Sequence, residues 1–393
     1  MNYLFLSPNF PLACERFCDR LHARGVNVLG VGDASYDGLS DRLKGALTEY
    51  YQVSSLEDYD QVYRAVAFFI HKYGRIDWLE SLNEYWLPTD ARLRTDFNIA
   101  VGTRADAISR MIDKAEMKQV FLDAKVPTAR QHVVTTKRSG KLFAGKVGYP
   151  VIVKPSVGVG ANGARKLNDE AELDAFYAEL PDEPYVMEQF LPGDIYTYDA
   201  ILDAGCEPLF ESMNTYASVM DAVLNDEDVT FYTFPEPAPE LRELGRRLCK
   251  AFHADRRFVH FEFIRLSRDC EGVGKAGSFA AMEVNMRPSG GHDPDMMNYA
   301  QSVDVYSIYA EMVTEGKRLF PDSGERWFCA YAGRKDGHDF THSGEEIVER
   351  FGDRLVLREE MPPIEWPAMG RYAYLAKCKT DEELREFFRF VLD

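Results

Sequence analysis

Residues 279–288, Phe-Ala-Ala-Met-Glu-Val-Asn-Met-Arg-Pro, restrict the fold more than any other stretch, because apolar and polar side chains alternate along them. Successive side chains of a β-strand point to opposite faces. Glu283, Asn285 and Arg287 are therefore predicted to share one face, and three apolar residues are predicted to share the other, packed into a core: Met282, Val284 and Met286. A proline and a Ser-Gly-Gly turn follow directly. We therefore expect a site at a strand end, the alternative being a half-exposed strand with solvated charges.

The chemistry of this polar row suits a metal ion beside a phosphoryl group. Carboxylate and amide oxygens are ligands that Mg²⁺ prefers, and Mn²⁺ is the alternative ion. A guanidinium suits a phosphoryl group in transfer. A second strand, predicted over 259–264, carries Glu262 between two phenylalanines, and a lone inward carboxylate is costly unless it is paired or bound to metal. Glu262, Glu283 and Asn285 are therefore predicted metal ligands, whereas His260, on the Glu262 face, is predicted to be structural.

A glycine-rich loop follows a predicted strand at 151–155. Gly158, Gly160 and Gly163 match the G-x-G-x-x-G pattern of dinucleotide-binding proteins. That pattern needs a helix to begin at the last glycine, whereas here we expect a returning strand and a helix that starts only near residue 170. The loop is therefore predicted to cover phosphates with its backbone N–H groups, and Lys154 before it to offset phosphate charge. The alternative is a surface hairpin without a ligand.

Residues 185–194 form a third candidate segment, an apolar strand that ends in one acid and a turn. Its backbone N–H and C=O groups are suited to contact the edge of a nucleobase. Phe190 or Leu191 would then pack near that base. A plain strand and turn is the equal alternative.

Composition excludes several classes of partner. The net charge of −18 argues against nucleic acid or an anionic membrane as the main partner, because both require basic surface. No stretch approaches the roughly 20 apolar residues of a membrane span, and the N-terminus is interpreted as a first strand rather than a signal peptide. The seven cysteines are scattered without a Cys-x-x-Cys pair, which favours reduced thiols, with Cys14 and Cys18 buried on a helix. We therefore expect a cytoplasmic location.

The order of predicted elements divides the chain into three blocks. Residues 1–95 alternate strands and helices, which predicts an α/β domain with a covered parallel sheet. Residues 96–324 are predicted to contain a small lid, about 125–190, and an antiparallel or mixed sheet, with one helix near 104–124. Residues 325–393 are predicted to be a C-terminal α+β subdomain. No glycine fingerprint follows the first strand, which weakens a dinucleotide interpretation of the first block.

Taken in this order, the elements resemble the ATP-grasp superfamily over roughly residues 1 to 320. The resemblance implies an ATP-grasp fold with an N-terminal pre-ATP-grasp domain, and ATP and Mg²⁺ as cofactors. By themselves Lys114 and Lys118, at i and i+4, are interpreted as a solvated basic face. The resemblance instead makes Lys114 a nucleotide contact, together with the following residues: Lys154, Ser156, Gly158, Gly160, Gly163, Glu188, Gln189, Phe190, Leu191 and Asp194. For the acid that contacts the ribose, Asp194 and Asp199 are both candidates.

The Arg-Pro-x-Gly-Gly continuation resembles carboxylate–amine ligases such as the L-amino acid ligases. The carbamoyl-phosphate-synthase large chain and biotin carboxylase share the core without that tail. The implied activity phosphorylates a small carboxylate with ATP to an acyl phosphate and couples it to an amine, with Arg287 and Lys154 catalytic. Substrate contacts are expected from the residues that follow the strand: Arg287, Ser289, Gly290, Gly291 and His292. His292 and Asp293 either contact the amine or belong to a plain loop, and a homodimer is a family-level expectation.

Three alternatives remain at this point. A bicarbonate-using carboxylase or a purine-pathway enzyme would keep the fold and change the second half-reaction. A non-catalytic nucleotide-binding module is the second alternative, although a pure binder needs no arginine beside the γ-phosphate. An NAD-dependent oxidoreductase built on the three glycines is the third.

Overall fold

The N-terminal block is a parallel α/β sheet in the computed structural model, which describes residues 1–158, 163–216, 227–321, 324–363 and 365–393. Its strand order is β3-β2-β1-β4, with every neighbouring pair parallel. The elements are β1 (Asn2–Leu6), α1 (Cys14–Ala23), β2 (Asn27–Gly32), α2 (Asp41–Ala46), β3 (Glu49–Gln52), α3 (Tyr59–Tyr73), β4 (Trp78–Glu80) and α4 (Leu87–Asp96). The predicted α/β class and covered parallel sheet are confirmed.

Both faces of β1 are buried, as a covered parallel sheet requires. Tyr3 and Phe5 pack into one core and Leu4 and Leu6 into another, because strand side chains alternate between faces.

The lid is a four-stranded antiparallel sheet of order β5-β8-β6-β7 with two helices on it. Its elements, with the two helices that precede it, are α5 (Ser109–Ile112), α6 (Lys114–Asp123), β5 (Gln131–Val133), α7 (Lys137–Val147), β6 (Val151–Pro155), β7 (Arg165–Leu167), α8 (Glu170–Ala178) and β8 (Tyr185–Gln189). The returning strand after the glycines and the helix starting at residue 170 are confirmed. The single helix predicted near 104–124 is wrong, because Asp113 leaves helical geometry and its carboxylate caps α6 by accepting from Ala115 and Glu116 N–H.

The third sheet has eight antiparallel strands in the order β13-β12-β9-β10-β11-β14-β16-β15. Its elements are β9 (Gly193–Leu202), β10 (Pro208–Tyr216), β11 (Val229–Thr233), α9 (Pro239–Ala251), β12 (Phe258–Leu266), β13 (Phe279–Asn285), α10 (Asp293–Gln301), α11 (Val305–Glu315), β14 (Phe328–Arg334), α12 (Gly344–Phe351), β15 (Leu355–Glu360), α13 (Trp366–Met369), β16 (Tyr372–Cys378) and α14 (Asp381–Leu392). The predicted division at 324 and 325 thus lies between strands of one continuous sheet, since β14 pairs with β11.

The N-terminal sheet and the eight-stranded sheet share one core. The ring of Phe17 on α1 lies 6.3 Å from that of Phe258 on β12, and 4.8 and 5.2 Å from those of Tyr306 and Tyr309 on α11. The hydroxyls of Tyr3 and Tyr309 are 2.8 Å apart. This shared core fixes the position of the loop after β4 against β13.

The cysteines and the helices agree with the sequence analysis. All seven cysteines are free thiols, and Cys14 and Cys18 are buried on α1 as predicted. None of the helices in the described part of the chain has the length and hydropathy that a bilayer span requires.

Candidate active site

Two adjoining cavities lie along the ends of β12 and β13. The first, which we call the lid cavity, has a volume of about 350 Å³ between the lid sheet and the eight-stranded sheet, and its walls include Lys154, Glu188 and Glu283. The second, which we call the outer cavity, has a volume of about 380 Å³, and its walls include Arg287 and Asp293. Glu262 lines both cavities. The predicted polar row therefore lies where the two spaces meet.

Buried lysines surround one carboxylate in the lid cavity. The Nζ atoms of Lys118 and Lys154 lie 2.9 and 3.0 Å from the carboxylate oxygens of Glu188. Burial alone would raise the pKa of Glu188, but the two ammonium groups outweigh it and lower the pKa to about 2. Burial lowers the pKa of Lys118, whereas for Lys154 the acids Glu188 and Glu283 outweigh burial and raise the pKa. The cavity wall carries three lysines against three glutamates, so its formal charges balance.

The interpretation of Lys114 and Lys118 as a solvated basic face is wrong. Both side chains are buried, because α6 turns this face toward β13 and the lid. Lys114 Nζ lies 3.1 Å from Glu283 Oε1 and donates to the carbonyl of Gly158 at 3.0 Å. Lys118 is a cavity residue that the sequence analysis did not assign to the site. Its spacing of four from Lys114, which places both on one helix face, is the signal that points to it.

Glu262 and Glu283 are paired directly across β12 and β13. Burial raises the pKa of Glu283, although Lys154 and Lys114 act to lower it. The neighbouring carboxylates of Glu262 and Glu84 raise the pKa further. Burial alone would also raise the pKa of Glu262, but His260 and Arg287 outweigh burial and lower the pKa. Two neighbouring carboxylates of this kind are suited to share a cation.

The amide of Asn285 completes a donor set that fits Mg²⁺. We assign its nitrogen to the side of Glu84, whose carboxylate oxygens lie 2.9 and 3.0 Å away and can only accept. The amide oxygen then takes the position 3.4 Å from Glu262 Oε1, so that two acceptor oxygens face each other. Within the described ranges no three His, Cys, Asp or Glu side chains converge as metal ligands. The set is therefore two carboxylates and an amide.

The predicted alternation of β13 fails at one residue. Glu283 pairs with Glu262 while Ala281 pairs with Phe263, so that Met282 forms a bulge. Met282 consequently lines the lid cavity beside Glu283, instead of sharing the core face. Val284 and Met286 are buried in the core as predicted.

Arg287 follows the end of β13 and reaches the outer cavity. Its guanidinium lies 3.0 Å from a carboxylate oxygen of Glu84 and donates to the carbonyl of Pro288 at 3.0 Å. Sequence reasoning missed Glu84, which lies 203 positions away along the chain. No local pattern identifies such a contact.

The glycine loop is described only at its two ends. Gly163 has φ of +75°, and a Cβ there would lie 2.9 Å from the Pro155 ring, so that the close turn requires glycine. The Ser156 hydroxyl donates to Asp113 at 2.9 Å, which holds the loop against the start of α6. Gly160 lies outside the described residues.

The end of β8 and the segment after it line the lid cavity through Gln189, Phe190 and Leu191. Of the two candidate acids for ribose contact, Asp194 is exposed on β9 and lies outside the cavity wall. Asp199 is buried and its Oδ1 lies 2.7 Å from Nδ1 of His260. Burial lowers the pKa of His260, but Asp199 outweighs burial and raises the pKa to about 10, so the imidazole is cationic at neutral pH.

The turn after β13 separates the outer cavity from a neighbouring space. Ser289, Gly290 and Gly291 line the outer cavity, whereas His292 faces away and its Nε2 lies 2.7 Å from Glu359. Asp293 lines the outer cavity and accepts from the Tyr216 hydroxyl, and burial raises the pKa of this carboxyl to about 6. Phe231 and Met369 form an apolar wall that the sequence analysis missed, since they come from distant elements.

Comparisons with known proteins identify the fold. Residues 113–187 match the family model of the carbamoyl-phosphate synthase L chain, ATP binding domain. The carbamoyl phosphate synthase large chain of Streptomyces avermitilis is 33% identical over 108 residues, which are 26% of this chain and 10% of that protein. The chain thus spans about a tenth of the length of this curated relative.

Solved structures match over nearly the whole chain. L-amino acid ligase from Bacillus licheniformis has a TM-score of 0.73 at 15% identity, covering 99% of this chain and 96% of that one. The biotin carboxylase domain of Hydrogenobacter thermophilus 2-oxoglutarate carboxylase, a dimer in complex with MgADP, ADP and bicarbonate, has a TM-score of 0.68 at 17% identity, covering 96% and 86%. The resemblance to the ATP-grasp superfamily and the predicted ATP-grasp fold are confirmed.

Proposed function

We propose that this chain is an ATP-dependent carboxylate–amine ligase, which activates a small carboxylate as an acyl phosphate and couples it to an amine with release of ADP and phosphate. The observation that carries the proposal is the shared wall of the two cavities. Glu262 and the neighbouring polar row stand between a space that holds three lysines and a space that offers the Arg287 guanidinium and the Asp293 carboxylate. Such an arrangement suits transfer of a phosphoryl group from one bound molecule to another.

The lid cavity is the proposed ATP site. Lys114, Lys118 and Lys154 would offset the charge of the phosphates, and Leu191 and Met282 would pack against the base. Glu262, Glu283 and Asn285 are the residues that would hold Mg²⁺, which when bound supplies further positive charge to the phosphates. The MgADP in the biotin carboxylase domain supports this assignment.

The outer cavity is the proposed site of the carboxylate and the amine. An oxygen of the carboxylate attacks the γ-phosphorus of ATP, the bond from that phosphorus to the β-bridging oxygen breaks, and ADP takes the electron pair. Arg287 stabilises the charge on the moving phosphoryl group. The amine nitrogen then attacks the acyl carbon and phosphate leaves with the electron pair of the C–O bond. The proton from nitrogen passes to Asp293 or to solvent.

The outer cavity also bears on the choice between the ligase and the bicarbonate-using alternatives. A volume of about 380 Å³ with an apolar wall of Phe231 and Met369 exceeds what bicarbonate alone fills, so at least one organic substrate is expected there. This apolar wall suits an organic substrate that has an apolar part. The structural similarity to L-amino acid ligase supports the same choice.

An ADP-release screen of paired carboxylates and amines, with product mass recorded, tests the proposal. We expect continued release of ADP over many turnovers only with a matched pair, and the product to have the mass of an amide. Glu283→Gln is the control, and we expect it to lose metal-dependent activity. ADP formation driven by bicarbonate alone would favour a carboxylase, and tight ATP binding without ADP formation across the panel would favour a non-catalytic module.

Two further expectations belong to this proposal. A cytoplasmic location is supported by seven cysteines that are all free thiols. A homodimer remains a family-level prediction, which the molecular mass in solution would test.

A further inference from the structure

We propose that Glu84 of the N-terminal block is a positioning residue, which orients the amide of Asn285 and the guanidinium of Arg287 and thereby completes the metal site. The inference rests on the proposed function for the identity of the metal site. It concerns a residue outside the two strands that carry the ligands. Its consequence is that the metal site is complete only when the N-terminal sheet is packed against the eight-stranded sheet.

Glu84 is held firmly where the chain leaves β4. The Asn83 side chain caps the short 3-10 helix Glu84–Trp86 by accepting from Tyr85 N–H at 3.0 Å. Behind it, the Asp90 carboxylate accepts from the Ser81 N–H and hydroxyl at 3.0 and 2.7 Å. Leu82 between them is buried with φ of +51°, a conformation that costs a leucine about 1 kcal/mol. Surrounding structure that imposes such strain fixes the position of the following residue.

The carboxylate of Glu84 decides which way the Asn285 amide faces. The oxygen and nitrogen of an amide have nearly the same shape, so that packing alone does not distinguish the two orientations. Glu84 offers acceptors only, at 2.9 and 3.0 Å, and therefore requires the nitrogen on its side. The oxygen is thereby turned toward Glu262, which is the orientation a metal ligand needs. A glutamine at position 84 offers both a donor and an acceptor and would remove this preference.

The same carboxylate holds Arg287. The guanidinium contacts Glu84 at 3.0 Å, and both side chains are largely buried, at 13% and 20% exposed. A charge-assisted bond in such a place restricts the guanidinium to the outer cavity side of the polar row. Glu84 thus touches one metal ligand and one proposed catalytic residue at once.

Mn²⁺ binding to the ATP-loaded protein, followed by electron paramagnetic resonance, tests the role of Glu84. We expect Glu84→Gln to weaken Mn²⁺ binding at least about tenfold, because partners that orient metal ligands contribute 10–100-fold in affinity. ATP binding without metal is expected to stay within about threefold of wild type. Glu57→Gln is the matched control, since Glu57 is exposed nearby and bonds Tyr85 instead. Mn²⁺ binding by Glu84→Gln at the wild-type level would overturn the inference.

Asn285→Asp distinguishes the proposed orienting role of Glu84 from a general structural role. Aspartate has oxygens on both sides and needs no orientation, but beside Glu84 it places two carboxylates together. We therefore expect Asn285→Asp to weaken Mn²⁺ binding in the wild type and to restore it in Glu84→Gln to within about threefold of wild type. Equal weakening in both backgrounds would contradict the proposed role.

Two controls keep this test separate from protein folding and from the proposed function. If Glu84→Gln does not fold, Glu84→Asp, which withdraws the carboxylate by one methylene, is expected to weaken Mn²⁺ binding in the same direction, and wild-type binding by it would overturn the inference. Metal binding is read without any carboxylate or amine. If Glu84→Gln binds Mn²⁺ as the wild type does while the wild type is an active ligase, only this inference is wrong. If the variants bind Mn²⁺ as expected but the wild type forms no amide, only the proposed function is wrong.

Discussion

Arg287 is the residue whose surroundings bear most directly on the chemistry. Its guanidinium is held by Glu84. Together with His260, it lowers the pKa of Glu262, which burial alone would raise. It therefore lies close to the proposed metal ligands while still reaching the outer cavity. A group in this position can stabilise charge that develops during phosphoryl transfer without being needed to bind the nucleotide.

Arg287→Ala is expected to lower the rate of ADP release about a hundredfold or more, as loss of one charge-stabilising donor does in other enzymes. ATP affinity, measured by calorimetry, should change little because the lysines of the lid cavity remain. Arg287→Lys keeps the charge and loses the forked geometry of the guanidinium, so its rate of ADP release should lie between those of the wild type and of Arg287→Ala. An unchanged rate in the alanine variant would remove Arg287 from the mechanism.

Asp293 predicts a pH dependence. Burial raises the pKa of Asp293 to about 6, so the carboxylate that would take the proton from the amine is ionised above that pH and neutral below it. We expect kcat/KM for the amine to decrease as the pH drops below about 6, and this acid limb of the pH profile to be absent in Asp293→Asn. Since the folded pKa lies above the ordinary value, protonation of Asp293 stabilises the fold as the pH falls, so unfolding driven by this group does not explain the limb. A limb that persists in Asp293→Asn would assign it to another group.

At the level of elements, the bulge in β13 and the turn into β9 shape the lid cavity. The bulge brings Met282 to the side of Glu283 and adds an apolar surface next to the acids. Gly193 begins β9 with φ of +151°, and a Cβ there would lie 2.0 Å from the carbonyl oxygen of Arg265 on β12. The close approach of these strands connects the segment that lines the cavity to the sheet that carries Glu262.

Gly193→Ala is expected to lower the free energy of unfolding by about 2 kcal/mol or more, because the strands must separate to admit the methyl group. ATP affinity should fall as well, since Phe190 and Leu191 precede this turn. Gly45→Ala is the matched control, as Gly45 lies on α2 with open space around it, and we expect it to be neutral or slightly stabilising. Chemical denaturation and calorimetry measure both effects, and equal stability of the two variants would contradict the steric argument.

At the level of the whole molecule, the N-terminal block and the eight-stranded sheet share a core and are expected to unfold together. Phe17 is fully buried and its ring contacts β12 and α11. This core also places Glu84 beside the proposed metal ligands, so stability and site geometry are expected to depend on the same contacts.

Phe17→Ala is expected to cost about 3–5 kcal/mol, the usual effect of removing a buried phenylalanine. Hydrogen exchange should become faster by similar factors in β1 and in α11, which belong to different predicted blocks. Phe68→Ala, at a residue 38% exposed on α3, is the control and should cost about 1 kcal/mol or less. Faster exchange confined to the N-terminal sheet would show that the blocks unfold separately.

The sequence by itself determined the features that depend on neighbours along the chain. The alternation of strands and helices over residues 1–95 predicted a covered parallel sheet, and the returning strand expected after Gly163 argued against a dinucleotide helix. The polar row Glu283, Asn285 and Arg287 marked the site because its residues are only two positions apart. Each of these predictions rests on strand period, turn chemistry or capping, which act over a few residues.

Only the tertiary structure decided which distant groups meet. The split of α5 from α6 at Asp113, the bulge at Met282, the burial of Lys118 against Glu188 and the contact of Glu84 with Arg287 across 203 positions depend on how sheets pack. Burial and pairing of a charged side chain are set by the surface that folds against it, and that surface comes from remote parts of the chain. A local pattern can therefore name the acids of this site, while the packed sheets choose the groups that orient and balance them.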